Sequence, residues 1–300
     1  MRRRPTDWLG FGPHPGPHPG PHPGIARPMP PAAPGAGRGA LHAAAARVRS
    51  DSHRRQSRAG PPLDGARPGG ETARAMPDTP DVPRRNFYGR RHGKALKPAQ
   101  RRWLAEDLPR VSLGQIGDRL DPKDVFGDRS VWLEIGFGGG EHLVHQAGLN
   151  PDVGFIGAEP FVNGVAMCLG KIARAGVSNI RIHAGDVRDL MDALPDGSIA
   201  RAFLLYPDPW PKARHHRRRF VTPEHLGPLH RVLAPGSEFR VATDIDDYVR
   251  QTLEEVPAAG FRRLDHPTGT PWSDWLSTRY EKKALREGRT PGYLTFHRIP

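Results

Sequence analysis

VWLEIGFGGGE, residues 131–141, joins an apolar run to a glycine-rich turn. The apolar run predicts a buried strand over 131–135, and the pattern after the turn predicts a helix from Glu141. Further along the chain, apolar runs alternate with helical patterns in the same way. They predict strands over 154–159, 179–183, 200–206 and 238–242, helices over 161–175 and 222–233, and a candidate edge strand over 292–299. Such alternation produces βαβ units, so we predict an α/β fold with a doubly wound parallel sheet.

The first 80 residues differ from the rest in composition. They contain 12 of the 35 glycines and 16 of the 34 prolines, and residues 13–24 repeat Pro-His-Pro-Gly three times. A segment so rich in residues that interrupt helices and strands buries too little apolar surface to offset its chain entropy. We therefore predict a disordered, low-complexity leader over 1–80 and one globular domain over 84–300.

The chain carries a large positive charge. Its 45 Lys and Arg against 32 Asp and Glu give a net charge of +13, of which residues 1–80 contribute +7 (12 Arg against 5 acids) and the remainder +6. Such a surplus favours a polyanionic partner, either nucleic acid or an anionic membrane surface. Because no apolar run approaches the ~18 residues of a membrane-spanning helix, we favour nucleic acid and expect no membrane.

Residues 84–110 form a basic N-terminal arm with aromatic side chains between the charges. Phe87 and Tyr88 lie among arginines, and Trp103 follows a second basic cluster. The arm is either a solvated segment or one that grips phosphates, with its aromatic rings stacked on a partner.

The single cysteine, Cys168, excludes a disulfide or a cysteine zinc site within one chain. Cys168 lies in an apolar run, which predicts a buried thiol rather than a nucleophile. No apolar run follows the basic N-terminus, as it would in a secretory signal, so we expect a cytoplasmic protein.

Acidic residues lie at or just after the ends of the five predicted strands: Glu134, Glu159, Asp186, Asp208 and Asp244. Ligands bind at this edge of a doubly wound sheet, so the acids predict a site rather than a set of solvated loops. The turn departs from the dinucleotide-binding pattern because Glu141 occupies its third glycine position. Carboxylates around the turn would repel a pyrophosphate and suit an ammonium group and ribose hydroxyls, both of which S-adenosylmethionine carries.

LYPDPWPK, residues 205–212, places Asp208 and Trp210 among three prolines, which restrict the backbone. A carboxylate can accept hydrogen bonds from the Watson–Crick edge of guanine, and an aromatic ring can stack on the base. We therefore predict contact with a nucleobase. The alternative is a rigid corner between a strand and a helix.

A basic run, KARHHRRR over residues 212–219, follows directly. Four arginines are expected to contact a nucleic-acid backbone without base specificity: Arg214, Arg217, Arg218 and Arg219. The alternative is a solvated face. No cysteine completes a zinc site with His215 and His216, so we predict no metal.

Residues 84–300 resemble the bacterial tRNA (guanine-N7-)-methyltransferases, a class I S-adenosylmethionine-dependent family with a Rossmann-like sheet. Five motifs carry the resemblance: EIGFGGG at 134–140, GAEP at 157–160, YPDPWPKARHHRRR at 206–219, Thr243-Asp244, and TRYE at 278–281. The third motif is the most specific of them.

The resemblance implies methyl transfer from S-adenosylmethionine to N7 of guanine 46 in the variable loop of tRNA. It places six residues at the methyl donor: Glu134, Gly136, Gly138, Glu159, Asp186 and Asp208, with Glu159 at the ribose hydroxyls and Asp208 catalytic. It places six more at the substrate: Lys212, Asp244, Thr278, Arg279, Tyr280 and Glu281. It implies no obligate protein partner.

Two alternatives remain open. One is a methyltransferase acting on an exocyclic amine, because Pro207-Asp208-Pro209-Trp210 loosely echoes the motif of amino methyltransferases. The other is a non-catalytic RNA-binding protein on the same fold, which would have no reason to keep Glu134 and Glu159 oriented towards a methyl donor.

Overall fold

The computed structural model describes residues 87–300, and the chain divides into units 1–76 and 77–300. The predicted leader and the first residues of the arm, 84–86, lie outside the described residues. The strands are β1 (Val131–Ile135), β2 (Gly154–Ala158), β3 (Ile180–His183), β4 (Ile199–Leu205), β5 (Leu233–Thr243), β6 (Phe261–Arg263) and β7 (Gly292–Arg298).

Helices connect these strands and precede β1. They are α1 (Pro98–Glu106), α2 (Leu108–Val111), α3 (Pro122–Phe126), α4 (Glu141–Leu149), α5 (Val162–Ala175), α6 (Val187–Ala193), α7 (Pro223–Val232), α8 (Asp246–Ala258) and α9 (Arg279–Arg286), with a 3-10 turn over Ala213–Arg218. None of these helices is long and apolar enough to cross a membrane.

The described strands form one seven-stranded sheet in the order β3-β2-β1-β4-β5-β7-β6. This order confirms the predicted α/β, doubly wound, Rossmann-like class, and the five predicted strands are present. The chain moves outward from β1 to β3 and then returns to β4 on the other side of β1. The crevice between β1 and β4 is therefore the switch point at which such sheets bind ligands.

Two details of the predicted sheet were wrong. The sheet is not parallel throughout, because β7 pairs antiparallel with both β5 and β6. The candidate strand over 292–299 is β7, which lies between β5 and β6 rather than at the edge. The strand at this edge of the sheet is β6. It has three residues, of which only Phe261 is apolar, and so short a segment has no recognisable strand pattern.

The two faces of the sheet are covered differently. On one face Leu133 and Ile135 pack into the main core with α6, α7 and α8. On the other face α4 and α5 cover β2 and β3. Beyond them, the loop between β6 and α9 covers β4, β5 and β7 with Trp272 and Trp275. This loop leads directly into α9 and so fixes where that helix begins.

The arm packs on the domain through α1. The Trp103 ring lies against α5 so closely that a Cβ added at Gly170 would be 2.7 Å from it. Trp103 packs against the apolar cluster of α4 and α5, so the interpretation of this ring as one stacked on a partner was wrong. Leu104 of α1 and Leu108 of α2 are partly buried against the same cluster.

The front of the arm is fastened to the start of α5. The Asn163 side chain accepts from the Gly93 amide at 2.7 Å and donates to the Lys94 carbonyl at 2.8 Å. The Val162 amide donates to the Arg91 carbonyl at 3.0 Å. These bonds place residues 87–90 beside the crevice between β1 and β4.

Candidate active site

A cleft of about 1050 Å³ opens at the carboxyl ends of the parallel strands. Eight of the predicted site residues line it: Gly136, Gly138, Glu159, Asp186, Asp208, Arg217, Arg218 and Tyr280. Eight others do not: Glu134, Lys212, Arg214, Arg219, Asp244, Thr278, Arg279 and Glu281. Half of the sixteen predicted residues therefore share this one cleft, and the other half do not line it.

The glycine turn after β1 forms one wall. Gly136, Gly138 and Gly140 have φ of 69°, 55° and 73°, a left-handed conformation that glycine adopts without steric cost. The turn also lies close to α5, because a Cβ added at Gly164 would be 2.4 Å from the Gly138 carbonyl oxygen. A Cβ added at Gly136 would meet nothing within 4 Å, so this glycine faces open space.

Glu159 follows β2 and is almost fully buried. Its Oε2 accepts from the Gly138 amide at 2.6 Å, and its Oε1 accepts from the Phe161 amide at 2.8 Å. Burial raises the pKa of Glu159 above the ordinary value, although the two amide hydrogen bonds act to lower it. The carboxylate thus joins the glycine turn to the start of α5 while it faces the cleft.

Asp186 follows β3 and caps α6, where it accepts from the Arg188 amide at 3.0 Å. The Arg188 guanidinium also binds it, with Nη2 at 2.5 Å from Oδ2. Burial by itself would raise the pKa of Asp186, but these Arg188 contacts hold it below the ordinary value. Arg188 was not among the predicted site residues, although an arginine two residues after a helix-capping acid is a detectable signal.

Asp208 lies on an unusual turn after β4. Tyr206 and Trp210, two residues before and after it, have φ of 51° and 41°. Residues with a side chain rarely adopt this backbone conformation, which costs about 1–3 kcal/mol each and persists only where the surrounding structure enforces it. Strained residues of this kind cluster at functional sites, so the strain on both sides of Asp208 makes this acid a candidate site residue.

The Asp208 carboxylate reaches solvent in the cleft, and no group among residues 87–300 donates a hydrogen bond to it. The surrounding protein removes enough water to raise its pKa, and the Arg90 charge opposes that rise. Arg90 belongs to the arm and also lines the cleft. The positive charge of the arm is evident in the sequence, but the position of Arg90 near this acid is not.

Glu134 lies beneath the glycine turn and is buried. Its Oε2 is 2.8 Å from His142 Nδ1, and the His142 ring contacts Phe203 and Trp275 at centroid distances of 4.7 and 5.3 Å. The structure places this carboxylate against His142 rather than in the cleft. His142 was missed because a single histidine on a helix has no sequence signature.

Residues 278–281 include two buried side chains, Thr278 and Glu281, and one exposed ring, Tyr280. Thr278 caps α9 by accepting from the Glu281 amide at 3.2 Å. Glu281 is buried, accepting from Trp275 Nε1 at 2.9 Å and from the Tyr293 hydroxyl. Arg279 lies over the Tyr280 ring, 4.9 Å from its centroid. Only Tyr280 lines the cleft, so the other three hold it in place.

Asp244 and Lys212 lie outside the cleft. Asp244 accepts from Arg289 Nε at 2.5 Å, so its carboxylate is paired with the segment that precedes β7. Lys212 is exposed and precedes the 3-10 turn. Among the described residues no three His, Cys, Asp or Glu side chains converge to hold a metal ion.

The basic run points in two directions. Arg217 is exposed and lines the cleft, whereas Arg214 is exposed beside His215 and does not. The Arg218 guanidinium lies between the rings of Tyr88 and Trp210, at 4.7 and 5.0 Å from their centroids. Tyr88, missed as a specific site residue, thus brings an aromatic ring of the arm to the cleft.

The prediction that Arg219 contacts a nucleic-acid backbone was wrong. Arg219 is 1% exposed, and its guanidinium donates to the Pro209 carbonyl and to the side chains of Asp247 and Gln251. In a run of like charges, the sequence does not show which side chain a 3-10 turn directs inward.

A family model described as "Putative methyltransferase" matches residues 128–292. A protein of Ruegeria pomeroyi is 67% identical over 231 residues, which cover 74% of this chain and 98% of that protein. A Rhodospirillum rubrum protein is 50% identical (75% and 92% covered), and one from Agrobacterium fabrum is 46% identical (71% and 94% covered). All three relatives bear the name tRNA (guanine-N(7)-)-methyltransferase.

Proposed function

This chain belongs to the tRNA (guanine-N7-)-methyltransferase family, and we propose that its cleft aligns a guanine of tRNA with the methyl group of S-adenosylmethionine. One observation carries the proposal. Asp208 is held on a strained turn, without a hydrogen-bond partner among the described residues, in the same cleft as the glycine turn and Glu159.

The lining of the cleft fits S-adenosylmethionine. Glu159 and Asp186 offer carboxylate oxygens to hydroxyl and amine groups, and Val187 and Leu204 offer apolar surface to a purine ring. Gly136 leaves room for close approach to the backbone. When bound, S-adenosylmethionine supplies a methyl group on a positively charged sulfur. We propose that Glu159 and Asp186 hold it and that Glu134, paired with His142, supports the turn from behind.

Guanine N7 has a lone pair in the plane of the ring and no proton to lose. It forms the new N–C bond as the C–S bond breaks, so the positive charge passes from sulfur to the purine and no general base is needed. The chain therefore has to align the base and stabilise the charge that reaches it. We assign both tasks to Asp208, since a carboxylate can accept from the guanine Watson–Crick edge and is negative.

The aromatic and basic residues at the cleft mouth suit an RNA substrate. A base buried in a stack cannot enter the cleft, so the target must be turned out or already unstacked. Tyr88 and Trp210 offer rings for stacking, and Arg217 offers an exposed charge for phosphate. We propose guanine 46 of the variable loop as the target, following the resemblance to the family.

We further propose residues 84–300 as the catalytic domain of a cytoplasmic enzyme. The match to the Ruegeria pomeroyi protein covers nearly all of that relative but only 74% of this chain. That relative therefore has no counterpart for about a quarter of this sequence, a share close to the length of the predicted leader.

Replacement of Asp208 tests the proposed function. Asp208→Ala should reduce the single-turnover rate of 7-methylguanosine formation by at least ~10²-fold at saturating tRNA and S-adenosylmethionine, the scale of losing one positioned electrostatic group. Asp208→Asn should retain part of the rate, because it keeps hydrogen-bonding atoms and loses the charge.

The matched control is Asp152→Ala. Asp152 is an exposed acid that precedes β2 at the opposite end of the strand from the cleft, and its loss should leave the rate unchanged. An Asp208→Ala protein with a rate near that of the wild type would refute the role of Asp208.

A further inference from the structure

Arg219 is the largest side chain that is fully buried in the described part of the protein. Its Nε donates to the Pro209 carbonyl at 2.9 Å. Its Nη1 donates to Gln251 Oε1 at 2.7 Å, and its Nη2 donates to Asp247 Oδ2 at 2.7 Å. One guanidinium therefore joins the turn that carries Asp208 to two side chains of α8.

The turn that carries Asp208 can form few hydrogen bonds within itself. In the segment 207–211, three of five residues are prolines and lack an amide N–H. Tyr206 and Trp210 have positive φ, a conformation that persists only where the surroundings enforce it. The hydrogen bond to the carbonyl of Pro209, the residue after Asp208, is thus an external restraint on a segment with little internal bonding.

Asp247 is the anchor of this arrangement. It lies in the first turn of α8, where Tyr248 beside it is fully buried and packs under the Arg219 guanidinium at 5.0 Å. The same Oδ2 that accepts from Arg219 lies 3.2 Å from His216 Nε2. Asp247 therefore contacts the 3-10 turn through His216 as well as Arg219.

We propose that Arg219 and Asp247 form an internal clamp that positions Asp208 for methyl transfer, rather than a contact with tRNA. Both are positioning residues, since neither lines the cleft. The charge of Arg219 is buried, and it is neutralised by Asp247, whose side chain is partly exposed. The inference rests on the proposed function, because it assigns the clamp to the orientation of Asp208.

The clamp predicts that its variants react more slowly but bind tRNA and S-adenosylmethionine normally. Arg219→Lys keeps the charge but cannot reach Pro209, Gln251 and Asp247 at once, because an ammonium lacks the planar fork of donors. Its single-turnover rate should fall by about ten- to a hundredfold, the scale of a displacement of about 1 Å at a reacting group. The Kd for tRNA, its salt dependence and the Kd for S-adenosylmethionine should each stay within about twofold of the wild-type values.

A second variant and two reference proteins complete the experiment. Asp247→Asn alters a half-exposed side chain and should lower the rate in the same way, and the double variant should be no slower than the slower single variant, because the pair acts as one unit. Arg250→Ala removes the exposed partner of Asp247 on its own helix and should leave the rate unchanged. Arg217→Ala should show the opposite behaviour: weaker tRNA binding with a reduced salt dependence, but an unchanged rate at saturating tRNA.

Two results would overturn the clamp. One is an Arg219→Lys or Asp247→Asn protein that binds tRNA weakly, with a reduced salt dependence, but reacts at the wild-type rate once saturated. The other is a wild-type rate and affinity in both variants. If Asp208→Ala also reacts normally, the role of Asp208 fails and the clamp has nothing to position, whereas a wild-type protein that transfers no methyl group to tRNA would contradict the proposed function itself. If Asp208→Ala is slow and the clamp variants are not, only the clamp fails.

Discussion

Four carboxylates that lie at or just after the ends of parallel strands have four different environments. Glu134 is paired with His142, Asp186 is paired with Arg188, and Glu159 accepts from two backbone amides. Asp208 has no hydrogen-bond partner among the residues that the structure describes. The acids with partners are suited to support and binding, whereas Asp208 is available to a substrate.

The buried Glu159 gives a prediction about pH. Because burial raises its pKa above the ordinary 4.5, Glu159 takes up a proton at a higher pH than a solvated glutamate when the pH is lowered. Protonation removes the negative charge and one acceptor, so S-adenosylmethionine should bind more weakly as the pH falls through that raised pKa. Isothermal titration without tRNA from pH 8 to pH 5 measures this loss directly.

The Asp208→Asn protein is the suitable background for that titration, since the pKa of Asp208 is raised as well. Adding Glu159→Gln should weaken binding at pH 8 and remove most of the dependence on pH. Asp186 should contribute little, because its pKa is lowered and it stays ionised over the range. A pH profile that is the same with and without Glu159→Gln would show that Glu159 does not titrate at the site.

At the scale of elements, the predictions succeeded where a local pattern carries the information. The strand over 131–135 and the helix from Glu141 follow from apolar spacing and a glycine turn, and both are present. The inward direction of Arg219 depends on α8, which is distant in sequence and supplies Asp247 and Gln251. The sequence therefore predicts which strand ends meet, but it does not predict which charged side chains pair with each other.

The 3-10 turn gives a prediction about salt. Replacing Arg217 and Arg218 with alanine should weaken binding to all tRNAs alike and make the slope of log K against log salt shallower by up to about 2. The physical reason is that each phosphate contact releases a bound counterion. Binding titrations at several salt concentrations measure the slope.

A double variant of Arg119 and Arg129 to alanine is the matched control. Both residues are exposed, neither lines the cleft, and the same two charges are lost. This protein should keep the wild-type slope. If the two double variants behave alike, the 3-10 turn does not contact the RNA and acts only through net charge.

At the scale of the whole molecule, the strand order shows which pairings can be predicted from the sequence and which cannot. The alternation of strands and helices predicts β1 to β5 and their parallel pairing because each step is local. The insertion of β7 between β5 and β6 depends on pairing across the chain, which no local pattern encodes. The switch point between β1 and β4 was not affected, so Glu159, Asp186 and Asp208 line one cleft although the far side of the sheet differs from the prediction.

Methyl transfer to two tRNA transcripts tests the central claim most directly. One transcript carries guanine at variable-loop position 46 and the other carries adenine there, and both are incubated with the full chain and methyl-labelled S-adenosylmethionine. We expect label on the guanine transcript alone, with cleavage at that position after borohydride and aniline treatment, which identifies 7-methylguanosine. Equal label on both transcripts would contradict the proposed target, and label on neither would contradict the assignment of this cleft to methyl transfer.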